Sequence, residues 1–190
     1  IALDAFEMAG CAGVGPQLRP RIEHCQVLRA RDITRFAELG VIASMQPIHC
    51  TADMRFVEPR LGPDRAQRAY AWRSLLDQGA TLAFGSDWPV EDLNPFVGIH
   101  AAVTRTDAHG EPSGGWQPQE CITVEEALRA YTLGSAYAAG WEGEVGELAA
   151  GKLADLTVVD RDLCAVEPSS LHLCRALLTM VNGKAVYEAE

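Results

Sequence analysis

The 190-residue sequence is short of positive charge: 16 Lys and Arg stand against 26 Asp and Glu, a net charge of −10. A surface that tracks phosphates must be basic, so nucleic acid is excluded as a main partner. An anionic membrane surface is disfavoured on the same ground. No apolar run approaches the roughly 20 residues of a membrane-spanning helix, and no signal-peptide pattern is visible. The six cysteines, at 11, 25, 50, 121, 164 and 174, form no CxxC pair. The chain is also too long for a small disulfide-stapled scaffold, so reduced thiols and a cytoplasmic location are expected. Phosphate-binding loops, dinucleotide-binding glycine motifs and Gly-x-Ser-x-Gly elbows are missing too. Neither an internal repeat nor a low-complexity segment interrupts the chain.

Hydrophobic residues make up 48% of the sequence, enough for a substantial core. The pattern begins with Ile1, Ala5 and Met8 on one helical face, without a capping residue. That start suits a processed terminus or a piece of a longer protein. A helix is predicted over residues 2–10, stopped by Gly13-Val14-Gly15-Pro16. Short apolar runs at 21–25, 41–45 and 81–85 read as strands. Between them lie a helix with Asp32 as cap and Gly40 as stop, then a loop holding His49 and Asp53, then an amphipathic helix over 64–78. Strands alternating with helices point to a parallel sheet covered by helices. Further on, Asn94-Pro95 is a good helix start, residues 106–120 read as a long loop, and Thr123 with Glu126 forms a capping box for a helix over 124–139. The tail changes character. Residues 154–159 read as a strand, and Asn182-Gly183 is a hairpin turn between 177–181 and 184–187. A β-rich module from about residue 144 is therefore expected.

Two polar groups stand at strand ends. His24 closes the first strand and Asp87 follows the third. A metal hydrolase needs imidazole and carboxylate ligands with a position left open for water, and strand ends of one sheet converge on one face. On spacing alone His24 is equally a satisfied core histidine, and Asp87 equally the cap of the next segment. His49, past the second strand, is a substrate contact or an exposed loop histidine. Trp88 walls a pocket beside Asp87 or simply packs. A Cys₂His₂ zinc site from His24-Cys25 and His49-Cys50 is disfavoured, because adjacent strand residues point to opposite faces. His100, His109 and His172 are expected to be solvated or structural.

The segments Ile22-Glu23-His24, Ser44 to His49 and Phe84 to Val90 resemble the amidohydrolase superfamily, in its branch of YtcJ-like proteins and N-substituted formamide deformylases. Leu128 to Thr132 and Gly146 to Leu156 add to the likeness. The resemblance implies an α/β fold, the C-terminal part of a (β/α)₈ TIM-type barrel. Strands six to eight would lie within residues 1–143, and part of a small β-sandwich domain within 144–190. It implies hydrolysis of non-peptide, amide- or formamide-like C–N bonds through a metal-activated water, with one or two divalent ions, zinc being the expected metal. His24 and Asp87 would be metal ligands, Asp87 also the general base, and His49 and Trp88 substrate contacts. The family's His-x-His pair and its ligands on the fourth and fifth strands have no counterpart here. The chain is therefore expected to be inactive alone and to self-associate or need a missing N-terminal portion. A non-catalytic interaction module and a related deaminase or cyclic-imide hydrolase are the alternatives.

Overall fold

A computed structural model describes residues 1–190, apart from the side chains of residues 13–16. In chain order the elements are α1 (Ala2–Met8), α2 (Cys11–Leu18), β1 (Arg21–Glu23), α3 (Ala30–Leu39), β2 (Ile42–Met45) and α4 (Pro47–Leu61). Then follow α5 (Pro63–Ala66), α6 (Trp72–Asp77), β3 (Leu82–Phe84) and α7 (Pro95–Thr104). Next come α8 (Val124–Arg129), a π-helical turn (Ala130–Gly134) and α9 (Ser135–Ala139). The chain closes with β4 (Leu156–Val159), β5 (Ala176–Val181) and β6 (Lys184–Glu188).

Strands β1, β2 and β3 form a parallel sheet in that order, with Glu23 beside Ser44 and Met45 beside Phe84. All of β3 is buried, as expected of a strand covered on both faces. Trp72, Leu75, Phe36, Val41 and Met45 pack around it, and the Trp72 ring meets Phe84 edge-on at 5.9 Å. Strands β4, β5 and β6 form a second, antiparallel sheet. Its hairpin turns on Asn182 and Gly183, both with positive φ, the geometry that Asn-Gly favours. Among the described residues, no helix is long and apolar enough to cross a membrane.

Several sequence expectations need correction. The first helix ends at Met8, and Gly10 (φ 80°) turns the chain into a second helix over Cys11–Leu18. Asp32 is not the cap of α3. Arg29 occupies that position, and Asp32 sits in the first turn, accepting from Arg35 at 3.0 Å. The predicted loop after β2 is the 15-residue helix α4, started by Pro47 at its first position. The helix expected over 64–78 is broken, because Tyr70 adopts a positive φ and residues 67–71 cross the sheet end to pair with the loop after β1. The capping box at Thr123 is present, but the helix it opens passes through a π turn. Trp141 is 64% exposed.

Two close approaches explain residues in the second half. A Cβ on Gly134, in the π turn, would lie 2.1 Å from the Leu82 carbonyl oxygen, a backbone atom of the central sheet that cannot step aside. Gly134→Ala should therefore cost about 3 kcal/mol or more, visible as a lowered urea midpoint. A midpoint within error of the parent's would contradict this packing.

The second is the edge-on contact of His100 with His172, with ring centroids 4.7 Å apart. His100 is buried, and burial first, then the neighbouring His172, pulls its pKa down to about 4, against a small opposing effect of Asp107. Its unfolded value is 6.5, so the unfolded chain takes up the proton first as pH falls. Above pH 6.5 the group is neutral in stability. Between 6.5 and 4 it removes up to about 3 kcal/mol, and below 4 the loss levels off. Urea titrations at pH 7 and pH 4.5 should show this loss in the parent and a smaller one in His100→Phe. Equal losses in both would exclude His100 as the source.

Candidate metal centre

Three segments leave the carboxyl ends of β1, β2 and β3 and converge. His24 follows β1 directly, its N–H donating to the Ser44 carbonyl at 2.7 Å. Its φ of 69° is left-handed, as is that of Cys25 at 45°. Gln46 follows β2, and His49 lies in the first turn of α4, with its N–H on the Gln46 carbonyl at 3.1 Å. Asp87 lies three residues past β3, also left-handed at φ 58°. Left-handed backbone costs a non-glycine residue on the order of 1 kcal/mol, and such strain persists where the surroundings hold it for a purpose.

The side chains meet. Asp87 Oδ2 lies 3.8 Å from His49 Nε2 and 4.0 Å from His24 Nδ1. One potential ligand atom from each of the three residues falls within 4.8 Å of the other two. The two imidazoles are nearly parallel, at 20° and 5.8 Å between centroids. His24 Nδ1 also lies 2.9 Å from Gln46 Oε1. His24 and Asp87 are 47% and 38% exposed, while His49 is buried. The buried Nε2 of His49 has no hydrogen-bond partner. An orphaned imidazole nitrogen beside a carboxylate too distant to bond it directly is left for an outside partner, a divalent cation or a substrate atom.

Sequence reasoning placed His24 and Asp87 at one site, and the structure brings them together. It treated His49 as a substrate-side group on a loop; His49 instead stands within the same cluster, on a helix. Trp88 follows Asp87 directly and is 63% exposed. The cysteines next to the histidines take no part. Burial pushes Cys25 and Cys50 each up to about 12, leaving both as protonated thiols, and Cys25 bonds the Ile22 carbonyl instead.

Sequence reasoning missed the groups behind the cluster. Tyr70 donates its hydroxyl to Asp53 Oδ2 at 2.6 Å, and Gln26 donates to the same oxygen at 3.0 Å. Burial, then Asp53, raises the Tyr70 pKa, so the phenol stays a donor. This ties the loop after His24 to the helix turn after His49. No local pattern links positions 26, 53 and 70, and only helical spacing places Asp53 on the face of His49.

The amidohydrolase family pattern matches residues 2–187. The chain belongs to the amidohydrolase family. It is 39% identical over 168 residues to the YtcJ amidohydrolase of Bacillus subtilis (strain 168), covering 88% of this chain and 32% of that protein. It is 31% identical over 189 residues to the N-substituted formamide deformylase of Arthrobacter pascens, covering 99% of this chain and 34% of that protein. Thus it spans about a third of the length of the curated relatives it matches. Among solved structures, an uncharacterized metal-dependent hydrolase from Pyrococcus horikoshii OT3 superposes with a TM-score of 0.74 at 32% identity, over 88% of this chain and 32% of that one. A mutant of the atrazine chlorohydrolase TrzN from Arthrobacter aurescens TC1, complexed with zinc and atraton, superposes with a TM-score of 0.63 at 25% identity. That match covers 88% of this chain and 36% of the other.

Proposed function

We propose that this chain forms the C-terminal part of a (β/α)₈ barrel hydrolase that cleaves non-peptide C–N bonds of amide- or formamide-like small molecules. In this reading β1, β2 and β3 are the last three barrel strands, residues 1–143 belong to the barrel, and residues 144–190 belong to a small β-rich domain. The observation that carries the proposal is the convergence of His24, His49 and Asp87 from three consecutive strand ends around the unpartnered His49 Nε2. The solved relatives described as metal-dependent or bound to zinc support a divalent cation, zinc first.

A divalent cation held by His24 and Asp87 would supply Lewis acidity and a lowered water pKa. The remaining work falls to the chain's own groups. Asp87, partly open to solvent, accepts a proton from water and returns it to the departing nitrogen. His49, buried and donor-capable, orients the substrate oxygen. Trp88 covers the apolar part of the substrate. The three-residue cluster leaves room for ligands from elsewhere in a longer protein, so the 190 residues alone are expected to be inactive and to bind metal weakly. Exposed apolar residues such as Leu148, Val186 and Tyr187 favour self-association of the isolated chain.

The test is metal content and turnover of the intact protein that carries this chain. Metal analysis should find about one or two zinc ions per chain, and an N-substituted formamide should release formate. Absence of bound metal after zinc loading, with no hydrolysis across formamides, amides and cyclic imides, would reject the proposal. Ammonia release from an aminopurine with no formamide cleavage would reassign the bond broken.

A further inference from the structure

We infer that Tyr70 is a positioning residue: through Gln26 and Asp53 it locks the segment that carries His24 to the helix that carries His49, and so sets the spacing of the cluster. This role rests on the metal reading above and deepens it by naming what holds the two histidines in place.

Three side chains from three segments close a ring of hydrogen bonds behind the cluster. The Tyr70 hydroxyl donates to Asp53 Oδ2 at 2.6 Å. Gln26 Nε2 lies 3.0 Å from that same oxygen and 3.0 Å from the Tyr70 hydroxyl oxygen. An amide nitrogen carries two protons, so it serves both acceptors. Gln26 follows closely after His24 in the loop beyond β1. Asp53 stands one helical turn after His49, along the same face of α4.

Tyr70 is the fixed member of the ring. It is 1% exposed, and its backbone is left-handed at φ 53°. Its N–H donates to the Gln26 carbonyl at 2.9 Å. Its carbonyl accepts from the Arg105 guanidinium at 2.8 Å and from the Trp72 N–H at 2.9 Å. Beside it, the Leu28 N–H donates to the Arg68 carbonyl at 3.1 Å, and Val27 bridges Ala69.

Both histidine segments need such anchorage. His24 and Cys25 are both left-handed, and strained residues relax unless their surroundings over-determine them. His49 lies in the first turn of α4, which no side chain caps among the described residues. One buried phenol thus holds both segments to a common carboxylate. Hydrogen bonds to an ionised acceptor are the stronger kind, and a misplacement of about 1 Å in a site costs up to about 100-fold in rate.

The test uses the intact protein that carries this chain. Tyr70→Phe removes one hydroxyl and keeps the ring. In the metal-free protein its amide exchange should quicken about tenfold at Leu28 and His49 and stay unchanged in the β5–β6 hairpin. Zinc binding should weaken about tenfold. For an N-substituted formamide, kcat should fall about 10- to 100-fold with KM within about threefold of the parent's. Asp53→Ala should reproduce these changes, and combining it with Tyr70→Phe should add little to either. Asp53→Asn keeps an oxygen for both donors, so it should stay close to the parent in every reading. Exchange at Leu28 and His49 unchanged in Tyr70→Phe, or quickened equally in the hairpin, would overturn the inference. So would zinc affinity and kcat at the parent's level despite faster local exchange. Should Tyr70→Phe fail to fold, Asp53→Ala and Asp53→Asn decide by the same readings. A parent that binds no zinc defeats the metal reading, whereas the exchange rates still judge whether Tyr70 holds the two segments.

Discussion

Asp87→Asn is expected to lower turnover of the intact protein about 1,000-fold while leaving its fold unchanged. Asparagine matches aspartate in volume, so no cavity opens. It also tolerates left-handed backbone, so the φ of 58° is kept without new strain. The carboxylate is 38% exposed, and its nearest histidine nitrogens lie at 3.8 and 4.0 Å. No buried bond is lost with it. What disappears is the negative charge and the ability to take a proton. Asp87→Ala would remove the same chemistry but add backbone strain, so the asparagine variant separates the two. Steady-state rates and thermal melts of the parent and variant provide the check. Turnover within tenfold of the parent would remove Asp87 from the proton-handling role.

Replacing Arg105 by Met is expected to cost about 4 kcal/mol, a large share of the stability of an ordinary domain. Arg105 is fully buried and has no carboxylate partner among the described residues. Its guanidinium instead donates to three carbonyls: Trp116 at 2.5 Å, Tyr70 at 2.8 Å and Ala69 at 3.3 Å. It also lies over the rings of Trp72 and Trp116, at 4.8 and 5.1 Å. Methionine fills part of the volume but removes the donor from the Trp116 and Ala69 carbonyls and leaves the Tyr70 carbonyl with only the Trp72 N–H, each lost bond costing on the order of 1 kcal/mol or more. Removing a buried charge offsets part of that loss. The consequence reaches the site, because the Tyr70 backbone is what Arg105 holds, and the Tyr70 hydroxyl bonds Asp53 beside His49. A chemical denaturation curve shifted by less than about 1 kcal/mol would show that this arginine is dispensable.

Arg105 also marks where reading the sequence stops. Its position after α7 gives no hint of burial, since an arginine after a helix is ordinarily a solvated group or a cap for the last carbonyls. Residues 106–120 looked like a free loop. They are tied down by Arg105, by the Gln117 bond to the Ala66 carbonyl and by Ser74 donating to the buried Glu120. All of these partners are 11 or more residues away, beyond the reach of periodicity or turn chemistry. The same limit explains α4. Residues 47–61 contain two prolines, have weak amphipathic patterning and follow a strand, so local signals favoured a loop. Packing of Ile48, Cys50 and Val57 onto the core made them helical.

Where the physics is local, the sequence by itself determined the answer. The buried runs of β2 and β3, the Asn94-Pro95 start of α7, the Thr123–Glu126 capping box and the Asn182-Gly183 hairpin each rest on contacts within a few residues. The order of those elements brought the parallel sheet with it, and the parallel sheet brought His24 and Asp87 to one edge. Only the tertiary structure decided that His49 joins them, because that depends on a helix starting directly after β2, where local signals favoured a loop. It also decided the left-handed backbone at His24 and Asp87, the contact of Gln46 with His24 and the burial of Arg105. Each of these is a long-range compromise in which neighbours distant in sequence outweigh the preference of the residue itself.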